Sequence, residues 1–220
     1  MARIARVIAP GFPHHIIQRG NRRQKVFFNE DDYNEYLTLL NGYSHRFKTD
    51  VLTYCLMPNH IHLIVTPHED GNLVKAIGET HCNYTRFINF REKWRGYLWQ
   101  GRFSSYVLDE RYLLAATRYI LLNPVKARIA KKPWDYEWSS AKHHMRLNNS
   151  SLVKDSLLQG LIGDWKDFLA TAPDNNDIKL FQLHERTGRP LGDNTFIEKL
   201  ESLLKIDLKK KRAGRKKKKK

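Results

Sequence analysis

Pro58-Asn59-His60-Ile61-His62-Leu63-Ile64-Val65 is the stretch on which the fold turns. Proline presets the dihedral of the first central position of a turn and asparagine tolerates the second, so residues 58 and 59 are expected to reverse the chain. The apolar, β-branched run behind them then forms a strand over residues 60–66, returning against a partner over 51–56. Strand side chains alternate faces and advance ~3.3 Å per residue, which puts His60 and His62 on one face with their bases roughly 6–7 Å apart. Two such imidazoles can converge on one cation. They can equally be hydrogen-bonded or solvent-facing histidines, and a His-x-His spacing alone does not separate the two.

Outward from this hairpin, residues 14–18 are short, β-branched and bounded by Pro13 and Gly20, which predicts a first strand. Asn29 or Asp31 can cap a helix over 32–47, where Tyr33, Tyr36, Leu37, Leu40 and Tyr43 recur at helical spacing. A second helix fits residues 73–92 and a fourth strand 102–108. The order β-α-β-β-α-β predicts an α+β, ferredoxin-like antiparallel sheet with helices on one face, its third strand central and the two histidines mid-sheet. Asp109 can cap a further helix from 110 to about 122, which Pro124 is expected to end. On it Tyr119 and Asn123 share a face about 6 Å apart, although a residue before proline is steered away from helical dihedrals. Tyr119 is there either a nucleophile or a packed aromatic, and Asn123 either a ligand or a helix cap.

The 220 residues suit one domain with an appendage, and the net charge of +16 is unevenly spread. Residues 81–132 hold 11 Lys and Arg against 3 Asp and Glu, interleaved with Tyr84, Phe87, Phe90, Trp94, Tyr97, Trp99 and Phe103. That mixture suits phosphate contact plus base stacking, or a helix with an aromatic core face and a solvated basic face. From Lys205 onward 11 basic residues face one acidic, so 205–220 is expected to be a disordered tail able to grip phosphates. Between lies a helical extension, 146–204, with Trp165, Phe168, Leu169 and Phe181, and with Thr195-Phe-Ile-Glu198 as a capping box opening its last helix. Residues 1–145 form the main domain. No apolar run approaches the ~18 residues of a membrane span, no secretory leader is visible, and Cys55 and Cys82 make no disulfide framework, so a cytoplasmic protein is expected. A zinc site from Cys55, His60, His62 and Cys82 matches none of the usual spacings. Arg19, Asn21, Arg22, Arg23, Arg102, Arg111, Arg118, Lys126 and Arg128 flank the candidate centre and are candidate DNA contacts.

Four ordered motifs carry a resemblance: Met57-Pro-Asn-His-Ile-His-Leu-Ile-Val65, Gln100-Gly-Arg-Phe103, Arg118-Tyr-Ile-Leu-Leu-Asn-Pro-Val-Lys-Ala127 and Trp134-Asp-Tyr-Glu-Trp-Ser-Ser140. Together they resemble the IS200-like Y1 transposases, and more closely the REP-associated tyrosine transposases of bacteria, over about residues 8–145. Arg186-Thr-Gly-Arg-Pro-Leu-Gly192 resembles an extension found in part of that family. The resemblance implies an HUH (histidine-hydrophobic-histidine) nuclease that acts on single-stranded DNA with a divalent cation, Mg²⁺ or Mn²⁺. His60 and His62 would be its metal pair, Asn123 a third ligand, and Tyr119 the nucleophile in preference to Tyr84, Tyr106 or Tyr112. It further implies cutting at hairpin-forming repetitive extragenic palindromes through a 5′-phosphotyrosine, by a monomer or homodimer beside the bacterial nucleoid. The alternative is a non-cutting, sequence-specific DNA-binding regulator on the same fold. A 2H phosphodiesterase would need two His-x-Ser/Thr motifs, which the chain lacks, and a general RNA-binding protein leaves His60, His62 and Tyr119 unexplained.

Overall fold

The computed structural model describes residues 6–208, and the lysine-rich tail expected from 205 lies outside them from residue 209 on. Four strands form one antiparallel sheet: β1 (His14–Arg19), β2 (Thr49–Met57), β3 (His60–Pro67) and β4 (Ser104–Val107), in the order β2-β3-β1-β4. The Pro58-Asn59 turn joins β2 to β3 as expected, and β1 and β3 share the centre. The register opposes Arg19 to His60, Ile17 to His62 and His15 to Ile64, and on the far side of β1 it opposes His15 to Tyr106. Because directly opposed residues point to the same face, His15, Arg19, His60, His62 and Tyr106 all emerge on one side.

Two helices cover the other side. In α1 (Glu30–Arg46), Asn29 rather than Asp31 is the cap, with Asn29 and Asp32 closing a reciprocal capping box. It lies with α2 (Asn72–Arg91) over Ile16, Leu56, Ile61, Leu63 and Val65. The histidine-bearing side is covered as well, so helices occupy both faces. Here α3 (Glu110–Leu121), capped by Asp109, packs Leu113, Ala116 and Ile120 over Ile17, Cys55 and Ile64. It ends at Leu121, with Leu122 as its cap, close to the end expected before Pro124, and α4 (Asn123–Lys126) follows at once, with Lys126 N–H donating to Leu122 O. Proline near a helix start removes only a donor that would be unsatisfied anyway.

After α5 (Ala141–His144), the extension comprises α6 (Ser156–Leu161), α7 (Trp165–Ala170), α8 (Asn175–Thr187) and α9 (Asn194–Leu204). Asp193, not Thr195, caps α9, its carboxylate accepting from Phe196 N–H at 2.7 Å. Trp165, Leu169 and Phe181 join the core of the histidine-bearing side. Both sheet edges are closed: Leu56 N–H donates to Trp138 O at 2.8 Å on β2, and Leu191 N–H to Val107 O at 2.8 Å on β4. The fourth strand is shorter than expected, leaving Arg102 in the preceding loop. The chain leaves β1 through Gly20, where a Cβ would stand 2.3 Å from Gln24 O, so only glycine fits.

Candidate metal and tyrosine site

Sheet register and one helix bring the predicted residues together. His60 and His62 have ring centroids 5.0 Å apart, and His62 meets the Tyr119 ring edge-on at 5.6 Å. His62 is 2% exposed, His60 and Tyr119 are half-buried, and Asn123 is buried. Tyr119 stands over His62 because α3 lies along this side of the sheet, and Asn123 opens the next turn below it.

The hydrogen bonds fix how each imidazole is turned. His60 Nδ1 is 2.6 Å from Asn59 Oδ1, while Asn59 Nδ2 donates to Arg23 O at 3.4 Å. With the amide oriented by its second bond, His60 Nδ1 carries the proton and its Nε2 keeps a lone pair. His62 Nδ1 is 3.0 Å from His15 Nε2, and His15 Nδ1 is 2.7 Å from the Tyr106 hydroxyl. This buried row has two proton arrangements, and in one of them His62 Nδ1 donates to His15, which donates to Tyr106. His62 Nε2 then presents a lone pair, and that atom is buried with no hydrogen-bond partner among the described residues. Asn123 Nδ2 is likewise buried and unpartnered. Burial holds all three rings neutral: it depresses His60, with help from Arg19, to about 4 and His15 to about 3, and depresses His62 well below its ordinary value.

Neutral imidazoles with a lone pair on Nε2, that of His62 buried and unpartnered, are suitable cation ligands, and an orienting bond at the other ring nitrogen is their usual support. Among the described residues no group of three His, Cys, Asp or Glu side chains is placed to hold a metal ion. A cation on His60 and His62 therefore needs a donor of another type, such as the Asn123 amide oxygen. Burial pushes the Tyr119 phenol up, whereas Asn123 and then Arg19 beside it pull it back toward ionisation. The rival tyrosines are differently placed. Tyr84 is buried on the opposite side of the sheet, bonded to Val26 O at 2.6 Å, and Tyr106 is buried against His15. Tyr112 lies under the Arg111 guanidinium at 4.5 Å.

The candidate DNA contacts fall into two groups. Asn21, Arg22 and Arg23 form a short 3₁₀ turn after β1, and Arg22, Arg23, Arg102, Lys126 and Arg128 are exposed. The others are held by the extension: Arg19 pairs with Glu185 at 3.2 Å, Arg111 with Asp177 at 3.3 Å, and Arg118 donates to Phe168 O at 2.9 Å. Phe181 of α8 packs on Tyr119, ring centroids 5.5 Å apart. Sequence reasoning missed His15, whose partner depends on register, and Lys131 and Lys132, which with Lys126 and Tyr119 line a cavity of about 460 Å³. The local basic count was the signal for the two lysines.

A β-α-β-β-α-β sheet carrying a histidine pair beneath a tyrosine helix defines the class, and comparison with known proteins agrees. The family described as Transposase IS200 like matches residues 11–123, just over half of the chain, and the chain belongs to that family. A Haemophilus influenzae protein named "Putative REP-associated tyrosine transposase" is 28% identical over 121 residues, covering 50% of this chain and 69% of that relative. A solved REP-associated tyrosine transposase bound to a REP hairpin superposes with a TM-score of 0.58 over 70% of this chain and 98% of its own. At 17% identity that likeness bears on the fold. No helix among the described residues is long and apolar enough to cross a membrane.

Proposed function

We propose that this chain cuts and rejoins single-stranded DNA beside a hairpin of the repetitive extragenic palindrome type, with Tyr119 as nucleophile. The observation that carries the reading is the edge-on seating of Tyr119 on His62, whose Nε2 is buried and unpartnered. Tyr119 Oη attacks the scissile phosphorus and loses its proton, the bond to the 3′ oxygen breaks, and that oxygen leaves as a 3′-hydroxyl. A 5′-phosphotyrosyl link remains and conserves the bond, so a second 3′-hydroxyl can reverse the step without a nucleotide cofactor. His60, His62 and Asn123 would hold the divalent cation, Mg²⁺ or Mn²⁺, which when bound polarises the scissile phosphate and stabilises charge on the leaving oxygen.

The chain's own groups supply the rest. Burial raises the Tyr119 phenol, and Asn123 and Arg19 offset part of that rise. Arg22, Arg23, Arg102, Lys126 and Arg128 are exposed for backbone phosphates, and Arg19, Arg111 and Arg118 join them once their contacts with the extension open. The hairpin named for the solved relative fits this substrate class.

Incubation of a labelled single-stranded hairpin with the protein and Mn²⁺ or Mg²⁺ is expected to give a denaturation-resistant protein–DNA adduct that Tyr119→Phe abolishes without loss of hairpin binding. An adduct that persists in Tyr119→Phe overturns the nucleophile. Tight binding by the wild type with no adduct instead favours the non-cutting regulator.

A further inference from the structure

A second concave site lies on the opposite side of the sheet, between α2 and the loop that leads into β4. It encloses about 510 Å³, within the roughly 300–1,000 Å³ of small-ligand sites. Tyr97, Trp99 and Phe103 line it together with Arg6, Arg86 and Arg102, and no acidic side chain among the described residues does. The aromatic residues that line the cavity differ in burial: Trp99 and Phe103 are anchored in the core, whereas Tyr97 is 86% exposed at the rim. Among the described residues no ring stacks on it. Trp99 is 6% exposed and its indole N–H is buried with no hydrogen-bond partner among the described residues. Such a donor is costly to leave unmet. Two neighbouring polar groups are already satisfied: Gln18 Nε2 donates to Gly101 O at 2.9 Å, and Thr85 Oγ1 to His81 O at 2.7 Å.

This cavity is joined to the tyrosine site through the sheet. Arg19, opposite His60, accepts from Gln100 N–H on its other side at 2.8 Å, and Gly20 pairs with Trp99. With strands about 4.8 Å apart, the backbone of this loop runs roughly 10 Å from that of His60.

We infer that this cavity seats one unpaired nucleobase of the DNA strand cut at Tyr119, stacked against Tyr97, hydrogen-bonded by the Trp99 indole, with its phosphates on Arg86 and Arg102. The assignment rests on the DNA reading proposed above. A flat base meets the exposed ring, its edge offers acceptors to the buried donor, and the uniformly basic rim suits a polyanion. The cavity opens on the α2 side and Tyr119 on the α3 side, so the bound strand bends round the sheet end at Gly20.

The chain carries its own reporter for this seat. Its two cysteines are Cys55, which is buried, and Cys82, which is exposed and lines the cavity, so a maleimide added to the folded protein labels Cys82. The measurement uses full-length protein without added cation, so adduct formation plays no part. A hairpin carrying a short unpaired flank is expected to slow Cys82 labelling several-fold, and the same hairpin with blunt ends is not. Tyr97→Ala, at an exposed position outside the core, is expected to weaken binding of the flanked hairpin by roughly 5- to 150-fold, the equivalent of one stacked base, and to leave blunt-hairpin binding unchanged. Equal protection by both hairpins, no protection by either, or equal losses in Tyr97→Ala overturns the base seat while the tyrosine chemistry stands. A chain that binds neither hairpin overturns the DNA reading itself.

Discussion

At the scale of single residues, the site depends on how two imidazole rings are turned. His15 sets that for His62, because its Nε2 faces His62 Nδ1 and leaves the far nitrogen free. His15→Asn is expected to lower affinity for Mn²⁺ about 10- to 100-fold, the usual cost of losing an orienting partner behind a ligand. Calorimetry or the Mn²⁺ electron spin resonance signal checks this, and nitrogen-15 shifts of His62 report its tautomer. Unchanged Mn²⁺ affinity with unchanged shifts would remove His15 from the site. The His60 and His62 pair was legible in the sequence because a two-residue period fixes a shared face. His15 was not, since alternation within a strand says nothing about which residue lies opposite until the register is known. Tyr119 and Asn123 were legible as a pair, but only the fold places Tyr119 over His62.

At the scale of elements, the strands and first two helices follow from turn chemistry and periodicity, and the misplaced boundaries have local causes. Pro124 was read as a stop and α3 ends at Leu121, but the proline also sits where its missing N–H costs little, so a separate turn, α4, begins at once. Thr195 and Glu198 had the spacing of a capping box, but Asp193 reaches the free N–H of Phe196 first and starts α9 earlier. In sequence the extension reads as a helical appendage. In the fold its Asp177 and Glu185 face Arg111 and Arg19, so the acidity answers basic charge displayed by the main domain. Pairing of this kind between distant segments leaves no periodic signal in the chain.

At the scale of the whole molecule, the interior holds many neutral histidines. Burial depresses His14 and His144 to about 4 and His81 to about 3. Below about 6.5 the unfolded chain takes up protons that the folded chain refuses until near those values, so stability falls with pH in that window and is untouched above it. Each such group contributes a slope of ~1.4 kcal/mol per pH unit, and three together about 4, against a total stability of ~5–15 kcal/mol. Acid titration followed by circular dichroism is expected to show unfolding beginning near pH 5; undiminished denaturant resistance between pH 6.5 and 5 would contradict it. The seating of Tyr119 on His62 within one chain also bears on inheritance of activity in mixtures. If each chain builds its own centre, Tyr119→Phe and His62→Ala chains mixed together cannot rescue one another, and the wild-type rate of adduct formation rises in simple proportion to protein. Restored adduct in the mixture would reveal that neighbours trade α3, whereas its absence makes every copy a self-sufficient, independently inactivated cutter.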